Sequence, residues 1–90
     1  MATMIAFMEV DDVDRWLKSP KRLEVFSPIG VTGKLFVDPA QSHRVGVLAE
    51  IPDMEAFQAA MQSETVATSM REDGVHMESF VMLVEAADHM

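Results

Sequence analysis

The chain has 90 residues, a net charge of -8 and no cysteine, which makes one domain, 1–90, without a disulfide framework or thiol chemistry. The acidic balance argues against a nucleic-acid partner, whose phosphates are met by Lys and Arg. No run of about 18 apolar residues is present to span a membrane, and the first residues lack the basic region and apolar stretch of a secretory signal, so a cytoplasmic location is expected.

The elements follow in order. Thr3 to Val10 is apolar and suits a strand. Asp11 or Asp12 caps a helix whose Val13, Trp16 and Leu17 fall at helical spacing. Ser19-Pro20 restarts the helix, since Ser accepts from unpaired N–H groups and Pro suits the first turn. Pro28 and Gly30 end that piece. Val31 to Asp38 is the second strand, Pro39 to Ser42 a short turn, and His43 to Ile51 the third strand. Pro52-Asp53 opens a helix with Met54, Phe57 and Met61 on its inner stripe, and Ser63 caps its continuation through Asp73. Gly74 supplies the left-handed residue that closes it. Val75 to Glu85 is the last strand, and Ala86 to Met90 a frayed tail.

The two halves share one plan. Glu9-Val10-Asp11-Asp12-Val13-Asp14-Arg15-Trp16 recurs as Glu50-Ile51-Pro52-Asp53-Met54-Glu55-Ala56-Phe57. Ser19, Gly30-Val31 and Phe36-Val37 recur as Ser63, Gly74-Val75 and Phe80-Val81, a period near 40 residues. The order is β-α-β-β-α-β, an α+β ferredoxin-like plan. Right-handed crossovers place the first and third strands centrally, giving an antiparallel four-stranded sheet in the order 4-1-3-2.

Strand alternation assigns the faces. A four-residue turn pairs Asp38 with His43, Phe36 with Val45 and Lys34 with Val47. One face then carries Met4, Ala6, Met8, Phe36, Val45, Val47, Ala49, Phe80, Met82 and Val84. The other carries Ile5, Phe7, Val31, Leu35, Val37, Leu48, Met77, Val81 and Leu83, with Gly33 and Gly46. Two helices cover one face only, assigned to the first set. The uncovered apolar face calls for a second copy packed sheet to sheet. Symmetric pairing of the two central strands sets Phe7 opposite Gly46, Ile5 opposite Leu48, Glu9 opposite Arg44 and Thr3 opposite Glu50.

The phrases Val13-Asp14-Arg15-Trp16-Leu17, Arg44-Val45-Gly46-Val47-Leu48, Asp53-Met54-Glu55-Ala56-Phe57 and Asp73-Gly74-Val75 resemble a group of small uncharacterised bacterial proteins in the dimeric α+β-barrel superfamily. The whole chain is similar to that superfamily. It includes antibiotic-biosynthesis monooxygenases, muconolactone-isomerase-like enzymes, haem-degrading enzymes, stress-responsive barrels and ligand-sensing domains. The resemblance implies fold and dimer, while activity varies freely on one fold. Haem-degrading members use an Asn with Trp and His; this chain has no Asn, so that activity is not supported.

No catalytic motif stands out. His43, His76 and His89 lack metal-ligand spacing, and neither a metal nor a cofactor is expected. Arg15, Lys18, Lys21 and Arg22, four of the seven basic residues, gather on the first helical segment and read as solvated surface. Trp16 has Phe57 as its repeat equivalent, so both read as core anchors, with Trp16 also a candidate ligand contact. Glu9, Arg44 and Glu50 form a polar cluster on the glycine-bearing face, where Arg44 beside Gly46 and Gly33 makes a candidate anion clamp. The candidate ligand-binding residues are therefore Glu9, Arg44, Trp16 and His76.

Two functions fit. The first is a non-catalytic dimeric barrel that binds a small apolar or carboxylic ligand or acts as an interaction module. The second is a cofactor-independent isomerase or monooxygenase on a small organic acid, implied by the resemblance alone. A filled core favours the first. A Met- and Phe-lined pocket between sheet and helices, with a buried Arg or His, favours the second.

Overall fold

A computed structural model describes residues 2–86. The predicted tail after Ala86, with His89, lies outside the described residues. The elements are β1 (Ala2–Val10), α1 (Val13–Lys18), α2 (Lys21–Phe26), a 3-10 turn (Ser27–Ile29), β2 (Thr32–Val37), β3 (Arg44–Ile51), α3 (Met54–Met61), α4 (Glu64–Glu72) and β4 (Val75–Val84). The sheet order is β2-β3-β1-β4, the expected 4-1-3-2 read from the other edge, and all three strand pairs are antiparallel.

The repeat is visible in the local chemistry. Asp12 and Asp53 each accept a hydrogen bond from the backbone N–H three residues on, both at 3.1 Å, and so start α1 and α3. Ser63 caps α4 through Val66 N (3.2 Å), and Ser19 accepts from Lys21 N (3.3 Å) where α2 begins. Gly30 and Gly74 both stand at φ 78°, the left-handed region that a side chain resists.

The helices pack on the predicted face. Along β1, Met4, Ala6, Met8 and Val10 are buried while Ile5, Phe7 and Glu9 are exposed. Val45, Ala49 and Ile51 of β3 join them, with Trp16 of α1, Phe57 of α3 and Val75 completing the core. The β1–β3 register is as expected: Phe7 faces Gly46, Ile5 faces Leu48, Glu9 faces Arg44 and Thr3 faces Glu50.

The expectation fails at β2. Val37 pairs with Val45, Phe36 with Gly46 and Leu35 with Val47, one residue off the predicted register. A slip of one turns every side chain over. Val31, Gly33, Leu35 and Val37 therefore belong to the helix side, and Phe36 to the outer side, where it and Phe7 flank the bare Gly46 at 3.7 Å from where its Cβ would stand. The cause is the connection. Gln41 takes φ 62°, the Asp38 carboxylate accepts from Ala40 N (2.8 Å) and Ser42 Oγ (2.6 Å), and the connection takes one residue more than the expected four-residue turn. His43 leaves the β2 pairing altogether. Its carbonyl accepts from Val10 N (2.9 Å) and its Nδ1–H donates to the Val10 carbonyl (2.9 Å).

β4 carries a second irregularity. Its register against β1 shifts between Phe7–Val81 and Glu9–His76, so the chain bulges. Ser79 holds the bulge by accepting from Glu9 N (2.8 Å) and donating to the His76 carbonyl. Outside the core face, Ile5, Phe7, Phe36, Val81 and Leu83 leave an apolar outer surface, each between 36% and 54% exposed.

Candidate functional site

All six residues of β2 are exposed, on both faces of the strand. α4 packs against β4, but Leu35 and Val37 on the helix side of β2 remain open to solvent. Between this uncovered strand and the helices lies a cavity of about 450 Å³. Met4 and Met8 of β1, Phe57 and Met61 of α3, Met70 of α4 and Phe80 of β4 line its apolar walls. Leu17 of α1, Leu23 of α2, and Val31 and Leu35 at β2 complete its border.

Among the described residues, two ionisable groups line this cavity, Arg22 and Asp73. α2 sets Arg22 inward. The guanidinium carbon sits 4.4 Å from the centroid of the Trp16 ring, a cation–π distance, and Nη2 donates to the Trp16 carbonyl at 2.8 Å. Nη1 stands 3.9 Å from Asp73 Oδ2, beyond hydrogen-bond reach, and is buried with no hydrogen-bond partner among the described residues. Asp73, only 6% exposed, closes α4, and its Oδ1 accepts from Ser19 Oγ at 2.7 Å. Burial pulls the Arg22 pKa below its ordinary value, and the Asp73 charge opposes that pull. Next door, the Lys21 ammonium pairs with Glu72 and ties the start of α2 to the end of α4. That hydrogen bond raises the Lys21 pKa and lowers that of Glu72.

Leaving a buried donor unpaired costs about 1–3 kcal/mol. The pattern on α2 is also inverted: Arg22 turns in while Leu23 is 69% exposed. A cation turned in beside a leucine turned out departs from the usual partition of polar and apolar side chains.

The four residues singled out from sequence do not form one site. Glu9 is flanked by Arg44 on β3 and His76 on β4, all on the sheet's outer side. Glu9 and Arg44 face each other in register, but no ion pair joins them among the described residues. The proposed clamp loses Gly33, which points to the helix side, where its Cβ would meet Ala49. His76 instead hydrogen-bonds the Asp11 carboxylate, which raises the His76 pKa and lowers that of Asp11. Trp16 is across the sheet from these three, 1% exposed as a core anchor and bordering the cavity under Arg22.

Arg22, Asp73 and Ser19 escaped the sequence reading as a site, because Arg22 was grouped with the solvated bases and the other two with helix ends. The repeat held the missing signal. Ser19 and Ser63 are equivalent, so the residues three further on, Arg22 and Val66, are equivalent too. Val66 is 2% exposed, a core position, and an arginine at its counterpart must face inward as well.

Among the described residues, no three His, Asp or Glu side chains gather to hold a metal, and no helix is long and apolar enough to cross a membrane.

No family model matches the chain, and no curated protein matches it. Solved structures do. A protein described as an antibiotic biosynthesis monooxygenase aligns over 99% of this chain and 100% of its own, with 17% identity and a TM-score of 0.64. A putative antibiotic biosynthesis monooxygenase from Deinococcus radiodurans aligns over 100% of this chain and 95% of its own, with 9% identity and a TM-score of 0.62. The fold is the ferredoxin-like α+β fold. A dimeric ferredoxin-like protein from an uncultured marine organism shares it over 100% of this chain and 99% of its own, with 15% identity and a TM-score of 0.58. At these identities the likeness concerns the fold, and the cavity chemistry has to be argued from this chain's own residues.

Proposed function

We propose that the chain binds a small, mostly apolar molecule carrying one acidic or carbonyl oxygen, and that Arg22 meets that oxygen. The observation that carries this reading is the apolar cavity bordered by a single cation with an unfilled donor. Pockets of a few hundred Å³ with apolar walls and a few placed polar groups are the usual form of small-ligand sites. The flexible thioethers of Met4, Met8, Met61 and Met70 suit a wall that adapts to its ligand.

The test uses Trp16, the only tryptophan, as reporter, and two probes of equal ring size, 2-naphthoate and 2-naphthol. A saturable change in Trp16 fluorescence is expected with 2-naphthoate. Hydrogen bonds to charged groups contribute about 1.5–3 kcal/mol, so Arg22→Met is expected to weaken that binding about 10- to 100-fold. No saturable response in the wild-type chain, or equal affinity in Arg22→Met, overturns the reading.

A catalytic role on the same ligand is the second reading, favoured by Asp73 standing beside Arg22 in the same cavity. A carboxylate that takes a proton from carbon, next to a guanidinium that holds the resulting enolate, is a general acid–base arrangement. Returning the proton to a different carbon is isomerisation. Addition of O2 to that carbon, with loss of water, converts CH2 to C=O; the substrate supplies all the electrons. Neighbours of the fold described as antibiotic biosynthesis monooxygenases fit this second outcome. Conversion of an added ketone or enol by the wild type, absent in Asp73→Asn, is the result that would establish it; unchanged turnover in that variant would remove Asp73 from the reaction.

The outer face fits a second copy of the chain. Ile5, Phe7, Phe36, Val81 and Leu83 form an apolar surface with the bare Gly46 at its centre, and a C2 dimer buries such a patch against itself. Light scattering at micromolar concentration is expected to give twice the mass of one chain for the wild type, and a monomer or unfolded chain for Phe7→Glu. A folded wild-type monomer contradicts sheet-to-sheet pairing.

A further inference from the structure

A guanidinium beside a buried carboxylate ordinarily closes on it as a hydrogen-bonded pair. Here the two stop at 3.9 Å, and Nη1 keeps its hydrogen-bonding capacity unspent. Each partner is tethered away from the other. The Trp16 carbonyl holds Nη2 and the Trp16 ring underlies the guanidinium. On the other side, the Ser19 hydroxyl donates to Asp73 Oδ1 at 2.7 Å.

We propose that Ser19 determines specificity: by holding the Asp73 carboxylate back, it keeps Arg22 Nη1 unpaired and so free to turn to the ligand's oxygen. This rests on the reading of Arg22 as the ligand anchor. The physical logic is a competition between two anions for one donor. Asp73 is almost wholly enclosed, so its carboxylate needs hydrogen bonds from protein groups rather than from water. With Ser19 in place that need is met in part. Without the hydroxyl, the nearest charged donor is Nη1, and a movement of roughly 1 Å brings the pair to charge-assisted hydrogen-bond distance. A ligand oxygen must then displace an ion pair instead of filling a vacant donor. The linkage also runs across the fold, because Ser19 precedes α2 while Asp73 ends α4.

Ser19 has a second task that the test must separate. Its Oγ also accepts from Lys21 N at the start of α2, so Ser19→Ala perturbs the helix as well. A double-mutant cycle with Asp73 distinguishes the two roles, since a helix-start defect persists when Asp73 is neutral and a competition defect does not. With 2-naphthoate as probe and Trp16 fluorescence as readout, Ser19→Ala is expected to weaken binding at least tenfold, and Ser19→Thr, which keeps the hydroxyl, to bind within threefold of the wild type. Asp73→Asn is expected to bind the probe more tightly than the wild type, and adding Ser19→Ala to it to change affinity by less than threefold. A crystal structure of Ser19→Ala is expected to show Asp73 closed on Arg22 Nη1.

Equal losses from Ser19→Ala in the wild-type and Asp73→Asn backgrounds would overturn the proposal, as would an unclosed gap in the variant structure. If Ser19→Ala does not fold, Asp73→Asn decides alone: weaker 2-naphthoate binding than the wild type contradicts the competition. Loss of binding in Arg22→Met with no effect of Ser19→Ala retains the anchor and removes only the role of Ser19. Absence of wild-type binding removes both.

Discussion

Val47→Phe tests whether the space between sheet and helices is a cavity or a loosely drawn core. Val47 lies on the helix side of β3, half-buried, facing Ala6 on β1 and Leu35 on β2, and its side chain lines the cavity. Phenylalanine suits a strand and adds about four carbons. At about 0.8 kcal/mol per buried methylene the gross gain is about 3 kcal/mol. Ordering the larger side chain takes back about 0.5–1 kcal/mol, and the open side toward β2 leaves part of the ring wet. The net expectation is stabilisation by about 1 kcal/mol. In a filled core the same substitution would overpack and cost about 1–3 kcal/mol. The two pictures therefore differ in sign. Urea unfolding reads the difference as a midpoint shift at constant slope. A higher midpoint, with loss of 2-naphthoate binding because the ring occupies the site, is the expected result. A lower midpoint by more than about 1 kcal/mol would refute the cavity.

The remaining predictions concern the ends of the cavity's supporting elements. Gly74→Val is expected to destabilise by more than about 1 kcal/mol, because at φ 78° a Cβ would stand 3.1 Å from Asp11 Cβ and against the Arg15 guanidinium; an unchanged unfolding midpoint would contradict this. The His76–Asp11 pair is expected to set a pH window. Donation of a hydrogen bond to the Asp11 carboxylate raises the His76 pKa above its ordinary 6.5, so that contribution is complete below 6.5 and is lost as pH rises through the raised value. Asp11 is lowered below 3.8, so its contribution is complete above 3.8 and is lost as pH falls through the lowered value. Glu9, Glu78, Arg15 and His43 complete the local charge field. NMR titration is expected to show the His76 pKa falling in Asp11→Asn; an unmoved titration would show that the pair does not form in solution.

Where the sequence could be read correctly, and where not, follows from how local the deciding interactions are. The β1–β3 register was readable because the two strands are repeat equivalents, and matching their apolar faces leaves one register that pairs both in full. The helix starts and the left-handed Gly74 were readable because Asp, Ser and Gly act on their immediate neighbours. The β2 register depends on a left-handed Gln41 and on His43 choosing Val10 over the hairpin, and neither is encoded in alternation. That single error moved Gly33, Leu35 and Val37 to the wrong side, and Gly33 and Leu35 line the cavity. The bulge at Ser79 is likewise a tertiary event, since its hydroxyl meets the backbone of a strand far away in sequence.

The cavity itself follows from a repeat that is obeyed in plan and broken in packing. In the second half, Ser63 starts α4 and the residue three further on is Val66, buried in the core. In the first half, Ser19 stands in the same place, but the residue three further on is Arg22, and Ser19 spends its proton on Asp73. A valine at that position needs apolar neighbours; an arginine needs oxygen, and among the described residues it finds the Trp16 carbonyl and a carboxylate kept 3.9 Å away. α4 packs against β4 and Val75 there is buried, although Met82 and Val84 further along stay open, while all six residues of β2 are exposed. The two departures fall in the same half: the one that exchanges a core residue for a cation is also the one whose edge strand is exposed along its whole length. Either alone costs stability, through an unfilled donor or through exposed apolar surface. In the proposed reading they make an entrance and an anchor, the arrangement expected when stability has been given up for a ligand.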